Sequence, residues 1–187
     1  MNSLSSAAMS SPEPVRQFDA VHRWWKQYCH PRDGDAAARA RLRRCRSRAE
    51  AMAEPAAIDL AVRMGVTPDQ PWRLGAALDL ARVLAHVKQD DLERSPMSAA
   101  GMAPRGSESP LLAEVRFRRL LRADSGEELV SAMTRLVRLL KGTVRIGDLV
   151  RAITAWNEQT RSQWALDYLR ARYRAVPSST DSGASNE

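Results

Sequence analysis

Cysteine and histidine are scarce, with two of the first and three of the second in 187 residues. Cys29 and Cys45 are too few and too scattered for a disulfide framework, and His22, His30 and His86 add no metal-ligand spacing around the Cys29-His30 pair. Also missing are a phosphate-cradling glycine loop, an HExxH helix, paired CxxC motifs, and a serine, histidine and acid in any recognisable context. A catalytic role therefore has little to stand on, and no metal or cofactor is expected. No stretch is apolar enough to span a membrane, and "MNSLSSAAMSSPEP" at the start lacks the basic head and apolar run of a signal peptide. The expected setting is a reducing cytoplasm. Strand alternation and internal repeats are absent too. Lysine occurs only at positions 26, 88 and 141, so arginine carries nearly all the positive charge.

What is present is basic and helical. The chain has 29 basic against 22 acidic residues, a net charge of +7 and a pI near 10.2, which favours a polyanionic partner, nucleic acid ahead of a membrane surface. The length suits one compact unit or two small helical lobes. Residues 1–14 and 176–187 are rich in serine, proline and small polar residues and are expected to be disordered tails. Between them Pro14 precedes a helix with Val21, Trp24, Trp25 and Tyr28 on one stripe. A second helix is expected from Asp35 to about Glu54, a third from Pro55 to Gly65, and a fourth after Pro71. Residues 91–109, rich in Pro, Gly and Ser, read as the longest loop and a hinge. Ser109 and Pro110 open a fifth helix, Asp124 and Ser125 cap a sixth through Leu140, Asp148 begins a seventh and Thr160 an eighth. The expected fold is all-α, with two stacked helical lobes (15–90 and 110–175) and no sheet.

Arginine placement is more informative than arginine number. In "RARLRRCRSR", residues 39–48, six of ten residues are arginine and none is acidic. On one continuous helix Ala38, Leu42, Cys45, Ala49 and Met52 form a narrow stripe, flanked by Arg39, Arg43 and Arg46 on one side and Arg41, Arg44 and Arg48 on the other. In "VRFRRLLRA", residues 115–123, Phe117, Leu120 and Leu121 face a core while Arg116, Arg118, Arg119 and Arg122 spread over the other side. On the sixth helix Leu129, Val130, Met133, Leu136, Val137 and Leu140 fill the core side, opposite Arg135, Arg138, Lys141 and Thr134. Three basic arcs opposite core faces point to a polyanion surface, because guanidinium groups grip phosphate in bidentate fashion without reading sequence. The candidate ligands are Arg41, Arg43, Arg44, Arg116, Arg119, Arg122, Arg135 and Arg138. Trp24, Trp25, Trp72, Trp156, Trp164, Tyr168 and Tyr173 sit at helical core spacing and are expected to pack rather than stack on bases. A second reading is a free-standing helix-turn-helix regulator, because Ala61, Gly65 and Val66 within residues 59–72 imitate that motif's turn. Pro71 opposes it, falling where a recognition helix needs an apolar interior residue.

Three segments together resemble the CasB family, the small subunit of the type I-E CRISPR surveillance complex Cascade. They are "RARLRRCR" after a helix with "RWW", "LLAEVRFRRLLRADSGEEL" running into "MTRLVRLLKG", and "LVRAITAWNEQTRSQWALDYL". The resemblance implies an all-helical, non-enzymatic protein of antiviral defence. Its implied partners are the other Cascade subunits with their guide RNA, a second copy of itself, and target DNA, whose displaced strand it helps to hold. Carried over by position, the family's basic surface includes Arg43, Arg44, Arg116, Arg119, Arg122 and Arg135. The family commonly has another arginine just before Arg135. This chain has Thr134 there, which offers only a hydroxyl, and Arg138 is the substitute at hand.

Overall fold

A computed structural model describes residues 13–124 and 126–174. The expected tails lie outside the described residues except for positions 13 and 14, which already belong to a helix; Ser125, the expected capping partner of Asp124, lies outside as well. The chain divides into two compact units between Lys88 and Gln89.

The first unit runs α1 (Glu13–Tyr28), α2 (Ala36–Arg44), α3 (Arg48–Met52), α4 (Pro55–Arg63) and α5 (Pro71–Leu84). α5 is the centre: every residue from Ala77 to Leu84 is buried, and α2, α3 and α4 all pack on it, with α1 against α4. A helix wrapped on all sides needs no polar face, and Asp79 and Arg82 are inside with the leucines. The Trp24 indole N–H donates to the Ala56 carbonyl at 2.8 Å and that of Trp25 to the Val87 carbonyl at 3.4 Å, so both buried rings keep a hydrogen bond. Trp72 departs from the expectation of core packing. It is 69% exposed, because it sits on the first turn of α5, ahead of the part the other helices cover. Tyr173, near the end of the last helix, is exposed for the same positional reason.

The single helix expected from Asp35 to Glu54 is two helices. Asp35 caps α2, its carboxylate accepting from the N–H groups of Ala37 and Ala38 at 2.9 Å. Cys45 and Ser47 then take extended backbone angles. Ser47 caps α3 by accepting from the Glu50 N–H at 3.2 Å, while the Glu50 carboxylate accepts from the Arg46 N–H at 2.8 Å. This reciprocal cap competes successfully with helix continuation inside the arginine run. The stripe drawn through Ala49 and Met52 consequently fails, and both are exposed. Pro71 occupies the first turn of α5, where proline is well tolerated, so the expected objection to a helix-turn-helix does not hold; that reading fails on packing, because the would-be recognition helix is the buried centre of the unit.

The second unit comprises β1 (Gln89–Asp90), α6 (Pro96–Gly101), α7 (Glu114–Arg122), α8 (Glu127–Leu139), β2 (Thr143–Val144), α9 (Ile146–Thr154) and α10 (Glu158–Arg174). The protein is mainly helical, but β1 and β2 pair in parallel, Gln89 with Thr143 and Asp90 with Val144. This corrects the expectation of no sheet; two residues are too short to print an alternating pattern. The segment expected to be an open hinge carries α6, whose Pro96, Met97, Ala100 and Gly101 are buried and which packs on α10. A Cβ on Gly101 would lie 2.4 Å from the Tyr168 carbonyl oxygen, so only glycine permits this approach.

Candidate functional site

α7 is held at both ends and along its inner face. Phe117 stacks on Tyr168 of α10 with ring centroids 3.9 Å apart, and the Tyr168 hydroxyl donates to the Leu112 carbonyl at 2.6 Å. At the start of α7 Glu114 forms ion pairs with Arg118 and, at 2.7 Å, with Arg172 of α10. These cations, Arg172 first, hold the Glu114 carboxyl below its ordinary range. At the other end the Ala123 carbonyl accepts from the Trp156 indole at 2.9 Å and from Arg161 at 3.2 Å. Arg161 itself lies over the Trp156 ring, 5.6 Å from its centroid. The chain then turns through Gly126, whose φ of 79° and ψ of −138° suit glycine alone, and enters α8. α8 buries Leu129, Val130, Met133, Leu136 and Val137.

Between α7 and α8 lies a groove of about 680 Å³. Its floor includes the buried Leu112, Leu120 and Leu136 and the half-buried Leu139. Arg116 and Arg119 from α7 and Arg135 and Arg138 from α8 line it and are exposed. Their spacing explains the pairing: residues three apart share one helix face, so each helix turns one arginine pair toward the same depression. None of these four side chains has a hydrogen bond or ion pair among the described residues. Glu128 also lines the groove, its carboxylate accepting from the Asp124 N–H at 3.2 Å. Thr134 is not part of that lining.

The other candidates are placed differently. Arg122 is exposed but is not part of the lining. Arg41, Arg43 and Arg44 belong to the first unit, and two of them serve the fold. Arg41 pairs with Glu54 at 2.8 Å and Arg43 donates to the Ala85 carbonyl at 2.6 Å, so the C-terminal turn of α2 is tied to the residues after α3 and α5. Arg44 is exposed with no such contact among the described residues. Nearby, Arg48 reaches the buried Asp79 with bonds of 3.0 and 2.6 Å, and Arg82 approaches the same carboxylate at 3.4 Å while donating to the Cys45 carbonyl. Sequence reasoning missed this cluster and also Glu128; the first was readable only as an acid and a base three apart on one apolar helix. Among the described residues no cluster could hold a metal ion, and no helix is long and apolar enough to cross a membrane.

These features define a class: a mainly helical protein of two units, with an arginine-walled groove on the second. Residues 38–169 match the model of the family described as CRISPR-associated protein Cse2, and the chain belongs to that family. Solved structures share its fold, two of them as follows. One is a chain in the crystal structure of E. coli Cascade bound to a PAM-containing double-stranded DNA target, at 23% identity and a TM-score of 0.59, covering 83% of this chain and 96% of that one. The other is CasB from Thermus thermophilus, at 22% identity and a TM-score of 0.61, covering 86% and 99%. No sequence among curated proteins matches the chain.

Proposed function

We infer that this protein is the non-catalytic small subunit of a type I-E Cascade complex and that it holds the phosphates of the DNA strand displaced when the guide RNA pairs with its target. The observation that carries this is the convergence of Arg116, Arg119, Arg135 and Arg138 on one groove, with no acid paired to any of them among the described residues. In RNA-guided recognition the heteroduplex is about as stable as the duplex it replaces, so a few contacts to the displaced strand tip the balance without reading a base. The partners are the other Cascade subunits with their guide RNA, target DNA, and a second copy of this chain. Burial of α5 leaves the free-standing regulator without a reading helix.

The test is open-complex formation on supercoiled and linear targets by Cascade assembled with the Arg116→Gln, Arg119→Gln, Arg135→Gln, Arg138→Gln variant. Folding is expected to survive because these side chains are exposed, and assembly, followed separately by size exclusion, is expected to survive too. Target binding is expected to weaken by roughly 1 kcal/mol or more per lost contact, with a smaller defect on supercoiled DNA. Full R-loop formation by the variant, or loss of assembly with no separate DNA defect, would overturn the assignment.

A further inference from the structure

We propose that the α7/α8 groove seats bases as well as phosphates, so that a short unpaired stretch of DNA lies with its nucleobases on the apolar floor between two arginine rims. The inference rests on the reading of these arginines as phosphate ligands and adds what lies between them. Phosphate tracking alone requires exposed guanidinium groups on any surface. Here the four arginines surround a depression of about 680 Å³, within the ~300–1,000 Å³ range of sites that enclose small organic groups. Two small side chains, Ala123 just after α7 and Ala132 on α8, are part of its lining. Ala132 and Leu139 are only half-buried, so the floor is an apolar surface still open to solvent.

Apolar floor and basic rim together match one occupant. A base offers a flat π-face that packs on leucine and stacks on the guanidinium plane, while its phosphate reaches the rim. A base inside a duplex is already stacked on both faces and paired along one edge, so the groove selects an unpaired strand. Nine residues of α7 measure about 13 Å at ~1.5 Å per residue, room for a short run of nucleotides only, and the groove beside them is lined by four arginines. Glu128 is the acid in the lining; it disfavours a phosphate beside it and can accept a hydrogen bond from a base amino group.

The experiment uses the full chain and a 12-nucleotide single strand carrying 2-aminopurine, compared with a strand of equal phosphate number bearing consecutive abasic sites. Binding is expected to change 2-aminopurine fluorescence, and the abasic strand is expected to bind about tenfold more weakly. Ala132→Phe fills the floor while leaving all four arginines in the sequence, and it should abolish the difference between the two strands while leaving the salt dependence intact. Equal affinity for base-bearing and abasic strands, or unchanged fluorescence on binding, would overturn the inference. If the arginine variant binds more weakly than the unaltered protein while the two strands remain equal, only this inference falls. If the arginine variant binds as the unaltered protein does, the phosphate reading falls first. An acidic amphipathic peptide that binds the groove and is lost with Ala132→Phe, while both strands are indifferent to it, would reassign the groove to a protein partner.

Discussion

Asp79 shows how differently neighbouring arginines of one run are employed. Its side chain is 3% exposed and sits between Arg48, from the end of that run, and Arg82. Removing this carboxylate takes a counter-charge from Arg82, whose side chain is buried, while Arg48 is half exposed and can turn to water, so Asp79→Ala should cost the first unit about 3 kcal/mol, the low end for a broken buried pair, read as a lowered urea midpoint. Arg44→Gln, on an exposed side chain at the end of α2, should leave that midpoint unchanged. The sequence could show which arginines leave a helical stripe. It could not show which of them find an acceptor, because the Ala85 carbonyl that takes the Arg43 hydrogen bond is 42 residues away. The four groove arginines were legible as two same-face pairs; that both pairs open on one depression depends on how α7 meets α8.

Among the elements, α7 depends most visibly on a titratable group. The Glu114 carboxyl has a folded pKa below its unfolded value, so its contribution is fully present above the ordinary glutamate range, near 4.5, and is lost as pH falls through the folded value. Acidification through that window should loosen α7 from α10, seen as faster amide exchange in residues 114–122. Glu114→Gln should flatten the pH profile and give, near neutral pH, the looseness the unaltered protein shows only in acid. The effect is modest because the pair is open to solvent. Helix existence was legible from apolar spacing and caps, as the Asp35 cap illustrates. Two elements were obscured by composition. The Ser47 cap lay inside a run read only for its charge, and α6 lay inside a stretch read as loop, although Ser95 followed by Pro96 is a helix-start pair and the Ser95 hydroxyl does accept from the Ser98 N–H.

For the molecule as a whole, a net charge of +7 announces an affinity for polyanions without locating it. The first unit spends Arg39, Arg41, Arg43 and Arg48 on its own carbonyls and carboxylates, whereas the second leaves a set of four facing solvent. Single-strand binding should therefore show a log-log salt slope of roughly −3, as expected for about four phosphates. In the fourfold glutamine variant the slope should fall toward zero although the chain stays basic, at a net charge of +3 against +7. A slope that persists would mean that diffuse charge, and not the groove, does the binding.

The two-residue strand β1 starts at the first residue after Lys88, and from there the chain is stitched to a distant segment of the same unit. Asp90 accepts the Ile146 N–H at 2.9 Å, capping α9, and Arg145 reaches back to the Leu92 carbonyl at 2.8 Å. The gene is therefore best cut between Lys88 and Gln89 to yield two self-contained pieces. A polypeptide beginning at Gln89 keeps the β1–β2 pair, the α9 cap and α6. One beginning at residue 110, where composition suggests the lobe starts, loses all three and uncovers the side of α10 on which Gly101 sits. Expressed separately, the longer piece should be soluble and melt in a single cooperative step, and the shorter one should aggregate.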